Sequence, residues 1–133
     1  GSGIVVRMPV QWTISKPHRL VIAVARGELR LHDIEQYLDG VAIAEVLPYR
    51  KIFDMTHATV MLSDADMMAL GARIRAYLQV IKLGPLAIVA VTQRAYEQAS
   101  LFQVLAEGDR PVKIFRELHQ AREWLDTFDM DSD

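Results

Sequence analysis

Leu86 to Val91 reads Leu-Ala-Ile-Val-Ala-Val, six consecutive apolar residues of which three are β-branched. The run is far shorter than the ~18 residues a membrane span requires, and its branched side chains favour a pleated strand. No polar residue alternates with the apolar ones, so both faces of this strand must be covered, as inside a parallel sheet. Helices have to supply that cover, which makes the fold class α/β.

The flanking sequence supplies them. Val10, Trp12 and Ile14 alternate with Gln11, Thr13 and Ser15, the pattern of a half-buried strand. A polar turn, Lys16-Pro17-His18-Arg19, leads into a second, antiparallel strand over Leu20–Ala25, closed by Gly27. Leu31, Ile34, Leu38, Val41 and Ala42 then recur at helical spacing, and this first helix stops ahead of Pro48. Lys51–Met55 is a short third strand followed by a loop. Met67, Leu70, Ile74, Leu78 and Ile81 stripe a second helix ended by Gly84-Pro85. After the central run, Ala95, Ala99, Phe102 and Ala106 stripe a third helix, Val112–Phe115 is a fifth strand, and Leu118, Ala121, Leu125 and Phe128 stripe a fourth helix. The order ββαβαβαβα implies right-handed crossovers and a five-stranded mixed sheet, mostly parallel with one antiparallel edge strand, packed with four helices.

A chain of 133 residues fits one domain, expected over residues 9–128. Gly1-Ser2-Gly3 reads as a cloning scar with Met8 as the natural start, so residues 1–8 are expected to be a remnant or disordered, and 129–133 a frayed acidic tail. Cysteine is absent, which removes disulfides, thiolate nucleophiles, zinc fingers and iron–sulfur ligation and fits a reducing cytoplasm. A net charge of −2 offers no bulk attraction to nucleic acid or anionic membrane.

In open parallel sheets ligands settle at the carboxyl ends of the strands, which here gathers Asp54, Thr56, His57, Thr59, Ser63, Thr92 and Gln93, with Phe115 and Arg116 beyond. Ser63 heads Ser63-Asp64-Ala65-Asp66, a helix N-cap with acids in the first turn; its alternative role is phosphoacceptor. Thr92 is a second N-cap whose free N–H groups could also meet an anion. Asp54 and His57 are the one acid–imidazole pair close in sequence, but no nucleophile elbow accompanies them, so no catalytic residue is assigned. The histidines lack a metal-binding frame, and neither a Walker-type loop nor Gly-x-Gly-x-x-Gly is present, so no metal and no cofactor is expected. Met55, Met61, Met67 and Met68 near the expected crevice read as core filler or as a pliable apolar pocket.

Three local stretches, in this order, resemble the SpoIIAA-like (STAS-type) family: Val24-Ala25-Arg26-Gly27-Glu28-Leu29 before the first helix, Ile52-Phe53-Asp54-Met55-Thr56, and Val112-Lys113-Ile114-Phe115 followed by Ala121, Trp124 and Leu125. The last resembles an uncharacterised SpoIIAA-like branch grouped with lipid-exchange domains of the CRAL-TRIO type. The resemblance implies a bacterial, cytoplasmic, non-enzymatic regulatory module that binds a protein partner or small ligand, and the strand-tip residues Asp54, Thr56, His57, Ser63 and Thr92 are the expected place of binding. The lipid-exchange branch implies instead a carrier or sensor of an apolar ligand, and a hydrolase using Asp54 and His57 ranks last. The family includes anti-sigma-factor antagonists switched by phosphorylation at the start of the helix after the third strand, and on their pattern the acceptor slot falls on Asp64, beside Ser63. The edge strand Val10–Ser15 is expected either to pair across a two-fold axis in a homodimer or to be left bare.

Overall fold

The computed structural model describes residues 8–106 and 108–128. The expected remnant, apart from Met8, and the expected acidic tail at 129–133 lie outside them. A hairpin opens the fold: β1 (Val10–Ser15) pairs antiparallel with β2 (Leu20–Leu29), Val10 opposite Ala25 and Ser15 opposite Leu20. The chain continues through α1 (Leu31–Ile43), β3 (Arg50–Val60), α2 (Asp64–Leu78), β4 (Leu86–Val89), α3 (Gln93–Leu105), β5 (Val112–Phe115) and α4 (Leu118–Leu125). All five strands join one sheet in the order β1-β2-β3-β4-β5, with every pairing after the first parallel. The apolar run at 86–91 thus begins as an interior strand, fully buried, and leaves the ladder after Val89.

Two strands are longer than the apolar pattern predicts. β2 does not end at Gly27; that glycine takes a positive φ of 71°, and the β2–β3 register shifts between Val24 and Arg26. A residue without Cβ adopts this conformation without strain, so the strand passes the irregularity and runs on to Leu29. Its extension gives β3 a partner as far as Leu29 opposite Val60. Thr56, His57 and Thr59 therefore lie within β3, where the polar run had suggested a loop.

An unreversed strand order linked by crossovers of one hand stacks the connecting helices on one face. Tyr37, Leu38 and Val41 of α1, Met67, Leu70 and Ile74 of α2, and Ala95 and Ala99 of α3 accordingly share a core with Val21, Ala23, Phe53 and Ile88. Ala121 and Leu125 of α4 cover the opposite face against Ile52, Ala87 and Val89. Among the described residues no helix is long and apolar enough to cross a membrane.

Candidate functional site

Period-two alternation divides β3 between the two faces. Ile52 packs towards α4, whereas Lys51, Phe53 and Met55 line a cavity beneath α1, α2 and α3. Asp54 is buried at 8% exposure, and its Oδ1 accepts from the Thr56 backbone N–H at 2.9 Å and the Thr56 hydroxyl at 2.5 Å. His57 is exposed and makes no hydrogen bond to Asp54. The structure therefore joins Asp54 to Thr56 and leaves the imidazole apart.

Ser63 and Thr92 occupy helix N-caps, as their sequence context indicates. The Ser63 hydroxyl accepts from the Asp66 N–H at 3.1 Å, while Asp66 accepts from the Ser63 N–H at 3.0 Å. This reciprocal pair satisfies two otherwise orphaned donors. The Thr92 hydroxyl accepts from the Ala95 N–H at 3.1 Å. Strand tips make good sites where a change in strand order opens a crevice between neighbouring helices, and this sheet has no such reversal. Among the described residues no cluster of metal-binding side chains occurs.

The cavity between the sheet and α1–α3 measures about 80 Å³. Its wall is formed largely by aliphatic, aromatic and methionine side chains, with Leu62 and Gln98 near the carboxyl ends of the strands. Gln98 is tied down there, its Nε2 donating to the Leu62 carbonyl at 2.6 Å. Three ionisable residues also reach the lining: Tyr37 from α1, Lys51 from the start of β3 and Arg110 from the turn before β5. Their exposures are 3%, 2% and 9%, values at which an unpaired charge is costly.

Each meets that cost differently. The Lys51 ammonium nitrogen donates to the carbonyls of Leu47 and Tyr49, the latter at 2.7 Å. Burial, reinforced by the charge of Arg110, lowers its pKa to about 6. Arg110 donates through Nε to the Gly84 carbonyl at 2.8 Å, and burial lowers its pKa to about 10. No acid among the described residues pairs with either cation. The Tyr37 hydroxyl is buried without a hydrogen-bond partner, and burial raises its pKa although Arg110 pulls the other way.

Sequence reasoning missed all three. Lys51 carried a signal: it shares the β3 face of Phe53 and Met55, so a charge stood at a core-facing position. Tyr37 sits beside Ile34 and Leu38 on the apolar stripe of α1, where a phenol passes as filler. Arg110 lies in Gly108-Asp109-Arg110-Pro111, which reads as an ordinary polar turn.

This sheet, helix arrangement and connectivity define a SpoIIAA-like α/β fold. The chain is similar to an uncharacterised protein of the DUF3478 family with a SpoIIAA-like fold from Shewanella loihica PV-4, with 18% identity over 92% of this chain and 99% of that one and a TM-score of 0.57. It is also similar to the anti-sigma factor antagonist SpoIIAA in its unphosphorylated form, at 14% identity, 90% and 99% coverage and a TM-score of 0.57. The phosphorylated form of the Bacillus cell fate determinant SpoIIAA matches at 19% identity, 87% and 98% coverage and a TM-score of 0.50. No family model and no curated protein matches the chain significantly.

Proposed function

We propose that this domain is a non-enzymatic binding module that takes a small apolar ligand into the cavity between its sheet and α1–α3. The observation that carries this reading is the cavity itself, a space of about 80 Å³ whose wall is almost wholly apolar. A void of this size costs about 2 kcal/mol at ~24 cal/mol per Å³, a penalty that an apolar occupant relieves. Met55 and Met67 in the wall are compliant and can widen the space for a larger guest.

A second reading, docking of a protein partner at the carboxyl edge near Thr56, His57, Ser63 and Thr92, is favoured by one observation. Met61, Met68 and Val91 stand there at 42%, 60% and 43% exposure. One of the similar structures is described as an anti-sigma factor antagonist, which is consistent with such a role. Phosphorylation of Ser63 fits less well, since a phosphate would sit beside Asp64 and Asp66 at the cap it disrupts.

Thermal denaturation separates the readings. Small neutral apolar molecules such as isoamyl alcohol should raise the melting temperature of the natural chain. They should not raise that of Ala99→Leu, whose added carbons fill the cavity. An equal rise in both proteins would place the binding elsewhere and refute the cavity reading.

A further inference from the structure

The three polar residues in the cavity point to a particular kind of guest. Among the described residues, Tyr37, Lys51 and Arg110 are the only ionisable groups in its lining, and they come from separate elements: α1, β3 and the turn before β5. Lys51 donates to the Leu47 carbonyl and Arg110 to the Gly84 carbonyl, and the Gly84 N–H donates in turn to Leu47 O, so the two basic heads meet adjoining backbone while Tyr37 lines the same cavity. The remainder of the wall is overwhelmingly apolar.

As they stand, these groups are served unequally, and of the three only Tyr37 holds a buried polar atom with no hydrogen-bond partner. The Tyr37 hydroxyl has no partner. The Arg110 guanidinium uses Nε on Gly84, and no further partner for it lies among the described residues. Lys51 leans on backbone carbonyls, one of which, Leu47 O, also accepts from the Gly84 N–H at 3.1 Å. Buried donors left unmade are expensive, and buried cations are ordinarily paired. A single acceptor carrying negative charge would satisfy all three, because a carboxylate offers about four lone-pair sites and forms short, charge-assisted hydrogen bonds with such donors.

We propose that the ligand of this cavity is a small apolar carboxylate, its head held by Lys51, Arg110 and the Tyr37 hydroxyl and its hydrocarbon part lying against Phe53, Met55 and Met67. This assignment rests on the cavity reading above and adds the chemical class of the guest. Near neutral pH the empty site holds Lys51 largely deprotonated. Arrival of an anion favours the ammonium form, so binding draws a proton from solvent onto the Lys51 nitrogen. Arg110, whose positive charge opposes that protonation, and Tyr37, which stays neutral, are the ionisable groups that face Lys51 in the cavity.

The test is isothermal titration calorimetry of the full chain at pH 8 with isovalerate, isovaleramide and isoamyl alcohol, in two buffers of different ionisation enthalpy. Isovalerate should bind at least tenfold more tightly than either neutral analogue, with uptake of close to one proton. Lys51→Met should erase both the preference and the uptake while keeping the affinity for the alcohol. Tyr37→Phe, which retains the ring packing, should weaken isovalerate several-fold and leave the alcohol unchanged. If the neutral analogues bind as tightly as isovalerate, the carboxylate assignment falls and the apolar cavity stands. If none of the three binds, the cavity reading falls and takes the assignment with it.

Discussion

Arg110 and Lys51 reach one cavity from the turn before β5 and the start of β3, and the charge of the first lowers the basicity of the second. Burial in an apolar interior penalises the ammonium most and repulsion from Arg110 adds to it, so Lys51 sheds its proton at a pH where a surface lysine keeps it. The relationship makes the interior sensitive to pH in a direction that can be worked out.

Unfolded, Lys51 titrates near its usual 10.5; folded, it titrates near 6 because burial and Arg110 penalise the ammonium. Between those values the unfolded chain binds more protons, so stability must rise with pH across that window, by at most about 1.4 kcal/mol per unit. Below pH 6 both states are charged at this site and the penalty is constant. Arg110, whose pKa burial lowers to about 10, adds a further rise only above pH 10. Urea denaturation of the ligand-free protein between pH 6.5 and 9.5, run beside Lys51→Met, should show the rise in the natural chain and its loss in the variant. Parallel curves for the two proteins would contradict the burial of this amine.

Thr56 supplies two donors to a carboxylate that is 8% exposed. Thr56→Val keeps the shape and the backbone N–H but removes the hydroxyl, so it should cost about 1.5–3 kcal/mol, the range for hydrogen bonds to a charged group. His57→Ala, on an exposed side chain with no part in that pair, should stay within about 0.5 kcal/mol. Chemical denaturation of both variants measures the difference.

The parts of the fold visible from sequence alone were those with strong periodicity. The alternation of Val10, Trp12 and Ile14 marked the edge strand, the stripe Leu31–Ile34–Leu38–Val41 marked α1, and Val112–Phe115 is a strand with the bounds its pattern indicates. Ser63 and Thr92 declared themselves as caps because capping chemistry is local. The continuation of β2 and β3 past Gly27 and Met55 was hidden, since a polar segment becomes a strand only when a neighbour supplies its ladder partners. The cavity was hidden for a related reason. Residues 37, 51 and 110 are far apart in the chain, and only the unreversed strand order brings α1, β3 and the β5 turn to one volume.

Gly84 offers a test of that meeting point. A Cβ at this position would overlap the carbonyl oxygens of Pro48 and Tyr49, and Tyr49 O is one of the acceptors that hold Lys51. Backbone oxygens cannot swing aside as a flexible side chain would, so Gly84→Ala should destabilise by about 1–3 kcal/mol. The urea midpoint should fall accordingly; an unchanged midpoint would mean that this close approach is absent in solution.

The methionines allow the interior and the strand-end surface to be watched together. Met55 and Met67 line the cavity at 7% and 3% exposure, whereas Met61 and Met68 face solvent at 42% and 60%. With the methionine methyl groups labelled with carbon-13, titration of the protein with isovalerate and with isoamyl alcohol, followed by NMR, reports directly on which region is occupied. Occupation of the cavity predicts saturable shifts of the Met55 and Met67 methyl signals, with those of Met61 and Met68 unmoved. Shifts confined to Met61 and Met68, or no saturable shift at any of the four, would contradict it.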